Sequence, residues 1–137
     1  MARSTFTAEV LTPEGAVFKD EVEMISTRTS VGSIGILANH QPLLGMLDPT
    51  ELRLYRSETD IVRFAQGEGY VQVAKDHVLI LVEEAFSVDE LDPADLRERV
   101  ATAEQQLAAA EADSEQARVA ERDKRRAEAF LAIASPE

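Results

Sequence analysis

The sequence has no cysteine, no tryptophan and only two histidines among 137 residues. Without cysteine there is no disulfide framework, no thiolate metal site and no thiol nucleophile. His40 and His77 have no companions at ligand spacing, so no metal centre is expected. Cationic side chains are scarce as well: 14 Lys and Arg stand against 26 Asp and Glu, a formal charge of −12. Such a chain lacks the cation density that binding a nucleic acid by counterion release requires. No apolar run reaches the ~18 residues of a membrane-spanning helix. Met1-Ala2-Arg3-Ser4 opens no signal-peptide core. These shortages describe a soluble acidic chain with little raw material for catalysis.

Glycine divides what remains. All six glycines fall at positions 15 to 69, whereas residues 91–137 have none and hold 13 alanines with a single aromatic, Phe130. Glycine frees the backbone for turns and alanine favours helix, so the two stretches belong to different structural classes. In the first, apolar residues recur at period two: Phe6, Ala8 and Val10; Val22 and Met24; Leu52 and Leu54; Val62 and Phe64; Val71 and Val73. Turn signals such as Pro13-Glu14-Gly15, Val31-Gly32-Ser33 and Gly67-Glu68-Gly69 separate them. Short alternating strands at this spacing predict a sandwich or a partly closed barrel, and a flattened antiparallel β-sandwich over residues 1–87 is the expectation. The unbroken run Val78-Leu79-Ile80-Leu81-Val82 predicts a strand covered on both faces.

The second stretch, residues 88–137, reads as a C-terminal α-helical hairpin. Asp92 suits an N-cap, Pro93 the first helical position, and Asp95 the positive helix end. Leu96, Val100, Ala103, Leu107 and Ala110 form one narrow helical stripe. The stripe resumes out of register at Ala117, Ala120, Ala127, Leu131 and Ala134, which places a soft break near residues 112–115. Alanine stripes allow close approach but bury little area, so the pairing is marginal at roughly 25 cal/mol per Å².

The most distinctive segment is Gly32-Ser33-Ile34-Gly35-Ile36-Leu37-Ala38-Asn39-His40-Gln41-Pro42. It resembles the G-x-I/L-G-I-L-P-N-H-x-P pattern of the epsilon-subunit family of rotary F-type ATP synthases. Leu11 to Phe18 is similar to that family's opening hairpin, and Glu68-Gly69-Tyr70-Val71-Gln72-Val73 to its G-G-x-x-E-V segment. The resemblance covers essentially the whole chain. There are departures: Ala38 replaces a proline, Glu68 replaces a glycine, and Pro49-Thr50-Glu51 lacks the usual Pro-Gly. Some relatives bind ATP through an I/L-D-x-x-R-A motif with basic residues on the second helix. Here Asp92 and Arg126 match, but Asp95 replaces the motif arginine and would repel a phosphate. ATP is therefore not expected as a cofactor.

The resemblance implies a non-catalytic central-stalk subunit, with the sandwich bound to the gamma subunit and to the c-subunit ring. It implies a ring-docking loop over residues 31–42, with Ser33, Asn39, His40, Gln41 and Pro42 as its contact residues. It also implies that the second helix can meet the alpha/beta catalytic subunits and inhibit ATP hydrolysis through Arg122, Lys124, Arg125 and Arg126. The implied location is peripheral, on the cytoplasmic face of a bacterial cell membrane, or alternatively on the stromal face of a chloroplast thylakoid. Other readings of the residues stay open. The basic cluster reads equally as the solvated face of a helix, and the hairpin as a static element. The whole chain could be a stand-alone β-sandwich adaptor that pairs with a partner's coiled coil. His40, near Ser30, Ser33 and Asp48, allows a hydrolase reading; a loop histidine bonded to its own turn is simpler.

Overall fold

A computed structural model describes residues 3–134. The ends of both expected segments, residues 1–2 and 135–137, lie outside the described residues. Contacts group the chain into two compact units, Met1–Ser87 and Val88–Glu137.

The first unit holds ten strands: β1 (Phe6–Thr12), β2 (Gly15–Val22), β3 (Met24–Thr29), β4 (Gly32–Leu37), β5 (Leu43–Leu47), β6 (Thr50–Tyr55), β7 (Ile61–Gln66), β8 (Gly69–Ala74), β9 (His77–Val82) and β10 (Ala85–Ser87). Hydrogen bonds link them in the order β10-β7-β6-β3-β5-β8-β9-β1-β2, with β4 paired to β3. The alternating residues do what period two predicts. Phe6, Ala8, Val10, Leu52, Leu54, Val71, Val73, Val78 and Ile80 join Val22, Ile25 and Ile36 in one buried cluster. Strands from both ends of the hydrogen-bonded order thus share one core, which is the β-sandwich expected.

Three details differ from the sequence reading. Val22 and Met24 lie on separate strands, because the chain turns at the buried Glu23, whose N–H donates to the Tyr55 carbonyl at 2.7 Å. β1 and β9 are parallel neighbours, from Thr7 opposite His77 to Leu11 opposite Leu81, within an otherwise antiparallel sheet. β9 is covered on one face only. Val78, Ile80 and Val82 are buried while Leu81 is exposed. An unbroken apolar run does not reveal which of its faces will be left open.

One glycine is fixed by crowding. A Cβ on Gly69 would lie 1.8 Å from the Leu81 carbonyl oxygen and 2.7 Å from the Val82 Cα. Nearby, the Glu83 N–H donates to Glu68 O at 2.9 Å and the Gly67 N–H to Glu84 O at 2.8 Å. The turn before β6, which lacks Pro-Gly, is held from elsewhere. The buried Gln66 accepts from Thr27 Oγ1 at 2.8 Å and donates through Nε2 to Asp48 O at 2.9 Å.

The second unit begins with a short 3₁₀ turn, Val88–Glu90, followed by α1 (Pro93–Ala109) and α2 (Glu115–Ala134). Asp92 caps α1, its Oδ1 accepting from the Ala94 N–H at 3.0 Å. The break is firmer than the sequence suggests. Asp113 takes a left-handed φ of 61°, and Ser114 Oγ accepts from the Ala117 N–H at 3.1 Å while donating to Glu111 O at 2.7 Å. Leu96, Ala103, Ala120 and Ala127 are buried, as the two stripes require, and so are Arg126 and Phe130.

Gly69→Ala is expected to destabilise the sandwich by roughly 1–3 kcal/mol or more, since the added methyl meets backbone that no rotamer change can move. Denaturant unfolding of the full chain measures it; Gly45→Ala, where the nearest atom is a side-chain methyl at 3.6 Å, serves as the mild comparison.

Candidate functional site

The proposed ring-docking residues do not form one loop. Ser33 lies on β4 beside the β3–β4 turn, where it pairs with Arg28. Asn39, with φ 66°, and His40 follow the far end of β4, and Gln41 and Pro42 lead into β5. The intervening strand, at ~3.3 Å per residue, keeps the two groups apart. The expectation of a single loop over residues 31–42 is thus corrected: the Gly32–Leu37 run is strand because it hydrogen-bonds to β3 along its whole length. His40 Nδ1 lies 2.7 Å from the Gln41 carbonyl and its N–H donates to Leu37 O at 3.2 Å, so it is bonded to its own turn. The sequence reading missed Val31, which stands 96% exposed at the β3–β4 turn. That turn is held by hydrogen bonds from Ser30 N to Met46 O and from Asp48 N to Arg28 O.

A second feature is an apolar outer face. Met46 is opposite Tyr70, Tyr70 opposite Leu81, and Leu81 opposite Leu11, a row crossing β5, β8, β9 and β1. The next row runs Leu44, Gln72, Leu79 and Glu9. Leu44, Met46, Tyr70 and Leu81 are 73%, 58%, 52% and 43% exposed. The hydrogen-bonded order brings Glu68 and Glu83 together at one margin of the first row. Leu11, Pro13, Tyr70, Leu81 and these two carboxylates line a shallow groove of ≈300 Å³. A contiguous apolar surface edged by carboxylates is a candidate for docking, and its chemistry favours a partner with apolar contacts and cations at the matching edge. No single strand discloses it, because its members come from four strands.

On β6 and β7 a charged group lies on the surface. Arg53 and Arg63 face each other across the strands, and Glu51 Oε2 accepts from both, from Arg53 Nε at 3.0 Å and from Arg63 Nε. The Arg63 hydrogen bond, aided by Arg53 and opposed by partial burial, holds the Glu51 carboxyl below its ordinary value.

In the helical unit the four candidate inhibitory cations split between two sides of α2. Arg126 is buried, and Lys124 Nζ lies 3.6 Å from Glu104 of α1. Arg122 and Arg125 are exposed, Arg122 lying 3.3 Å from Asp123. The picture of one solvated basic face is therefore corrected, because Arg126 is buried and Lys124 is largely covered while Arg122 and Arg125 stay exposed. Of the two residues matching a nucleotide motif, Asp92 is occupied as the α1 cap, and Arg126 lines a cavity between the helices.

A β-sandwich with an exposed apolar face, followed by a charged helical hairpin, defines a protein that works through its surfaces. Residues 5–88 match the family described as ATP synthase, delta/epsilon chain, beta-sandwich domain. The ATP synthase epsilon chain of Persephonella marina is 41% identical over 127 residues, covering 92% of this chain and 93% of its own. That of Sulfurihydrogenibium sp. is 34% identical, covering 93% and 95%. A chloroplastic epsilon chain from Adiantum capillus-veneris is 39% identical over 74% of this chain and 76% of its own. Among solved structures, a chain of the Euglena gracilis mitochondrial ATP synthase superposes with TM-score 0.78 at 20% identity, covering 96% of this chain and 82% of its own. The chain belongs to the ATP synthase delta/epsilon family. It is an accessory subunit of that enzyme complex and is not itself catalytic. No helix among the described residues is long and apolar enough to cross a membrane.

The Glu51 cluster has a testable pH signature. A carboxyl whose folded pKa is lowered adds stability that is complete above its unfolded value and lost as pH falls through the folded one. Glu51→Gln should lower stability at neutral pH by about 0.5–1 kcal/mol, the range of half-exposed ion pairs. It should also flatten that acid-side loss in thermal unfolding followed against pH.

Proposed function

We propose that this chain is a rotor component of the central stalk, passing rotation of the c-subunit ring to the gamma subunit. The apolar face of β5, β8, β9 and β1 takes gamma, and the row Met46, Tyr70, Leu81, Leu11 is the observation that carries this reading. Its acidic margin at Glu68 and Glu83 suits a partner with lysine or arginine there, adding orientation and rate of encounter more than affinity. The β3–β4 turn, with Val31 and Ser33, meets the ring. Asn39, His40, Gln41 and Pro42, at the opposite end of β4, border the gamma face beside Leu44. A stiff sandwich suits torque transfer, because a twist reaches the second partner only if the body between does not shear.

The hairpin is the regulatory element. Arg122 and Arg125, already exposed, begin the contact with acidic segments of the catalytic subunits, and extension of α2 adds Lys124 and Arg126. The bacterial relatives favour a peripheral position on the cytoplasmic face of a bacterial membrane. The alternative, a stand-alone adaptor, predicts no affinity for gamma.

Met46→Glu with Leu81→Glu should weaken binding to the cognate gamma subunit by about a hundredfold, as expected for charges placed inside an apolar contact, with unfolding unchanged because both side chains are solvent-facing. Calorimetric titration measures it, and undiminished binding would remove the face from the interface. Ending the chain after Asp89 should preserve assembly and raise the rate of ATP hydrolysis by the reconstituted complex. An unaltered rate would leave the stalk role standing and remove the brake.

A further inference from the structure

Some relatives hold a nucleotide at the helical hairpin, and the residues of this hairpin do not fit one. The cavity between α1 and α2 has a volume of ≈410 Å³. Asp95, Glu98 and Asp123 line it together with Arg99 and Arg126. Two guanidiniums of the lining stand against three carboxylates, of which Asp123 pairs with Arg122 at 3.3 Å, so the cavity offers a polyphosphate no surplus of positive charge, and the Asp92 carboxylate is already spent on the first turn of α1. Leu96 and Phe130 are the large buried apolar side chains of this hairpin, and Arg126 is buried along with them.

We propose that the hairpin is closed by its own charges, without a ligand: Arg126 set among Asp95, Glu98 and Asp123, with Lys124 tied to Glu104, forms an internal ionic latch. The buried faces hold Ala103, Ala120 and Ala127 together with Leu96 and Phe130, so apolar burial contributes to closure and the charges act in addition to it. Arg126 is only 7% exposed, and a guanidinium so buried is tolerated only beside compensating charge. Asp95 lines the same cavity as Arg126, one of the acids available for that compensation. On the outer side of the helix pair, Lys124 Nζ lies 3.6 Å from Glu104 Oε2, with the lysine largely covered. Closure therefore withholds Lys124 and Arg126 from any outside partner and leaves Arg122 and Arg125 presented. The latch is a property of the isolated chain and stands whether or not the tail restrains hydrolysis.

Amide exchange of the full-length chain, followed separately over residues 115–134 and over the strands, tests it. In the wild type, exchange in α2 should be unaffected by magnesium-ATP or by tripolyphosphate. Asp95→Arg places a third cation in the cavity with Arg99 and Arg126. It should speed exchange in α2 by roughly tenfold or more, leave the strands at wild-type rates, and be reversed by tripolyphosphate. Glu104→Gln should speed it about two- to fivefold, the size of a partly exposed pair. Wild-type exchange slowed by ATP would overturn the latch, as would an Asp95→Arg hairpin exchanging at the wild-type rate. Should Asp95→Arg unfold the whole chain, Glu104→Gln decides: faster exchange confined to the hairpin supports the latch, and unchanged exchange overturns it. None of these readings involves hydrolysis or gamma, so they are separable from the stalk role.

Discussion

At Gly69 the backbones of β8 and β9 approach so closely that even a methyl group would strike the Leu81 carbonyl. The register of these two strands therefore has little freedom, and the outer face depends on that register. Side chains alternate with period two, so a slip of one residue would turn Tyr70 and Leu81 inward and expose Val71 and Ile80. Both the core and the apolar row are lost or kept together. β1 lies parallel to β9 and inherits the same phase, which brings Leu11 into line with Leu81. β5 extends the row on the other side through Met46. A surface built this way is as rigid as the sheet that carries it.

The helical unit is organised on the opposite balance. Its helices start and stop on specific caps, Asp92 for α1 and Ser114 for α2, so their ends are well defined. Small side chains and charge stand in their mutual contact beside the buried Leu96 and Phe130. Dispersion and apolar burial dominate the sandwich, where Phe6, Ile25, Leu52 and Ile80 interlock. In the hairpin, Lys124 with Glu104 and the buried Arg126 carry a larger share. Charge pairs of this kind can be exchanged for others on a partner, whereas a packed core cannot. A closely packed sandwich and a hairpin with more charge at its seam thus coexist in one chain through different dominant forces.

Much of the architecture could be read from local pattern. The alternation of Phe6, Ala8 and Val10 gave β1, and Asp92-Pro93 gave the start of α1, because each signal acts within a few residues. Readings failed where a distant segment decides. Val78 to Val82 was taken as covered on both faces, yet Leu81 is exposed while Val78, Ile80 and Val82 are buried. Residues 31–42 were taken as one loop, yet pairing with β3 makes their first half a strand. Arg126 was counted with its neighbours as a solvated cation, since charge alone gives no hint of burial. Gln66 drew no notice, although its side chain ties Thr27 to the turn at Asp48.

The amino-acid order by itself determined the two structural classes, the strand and helix starts, and the family, because these rest on periodicity, capping and spacing along the chain. Tertiary structure decided which apolar residues were left exposed in one row, how the docking residues were divided between the two ends of β4, and which cations turned toward α1. Those outcomes depend on strand neighbours and helix phase, and contacts between residues far apart in sequence leave no periodic trace in it.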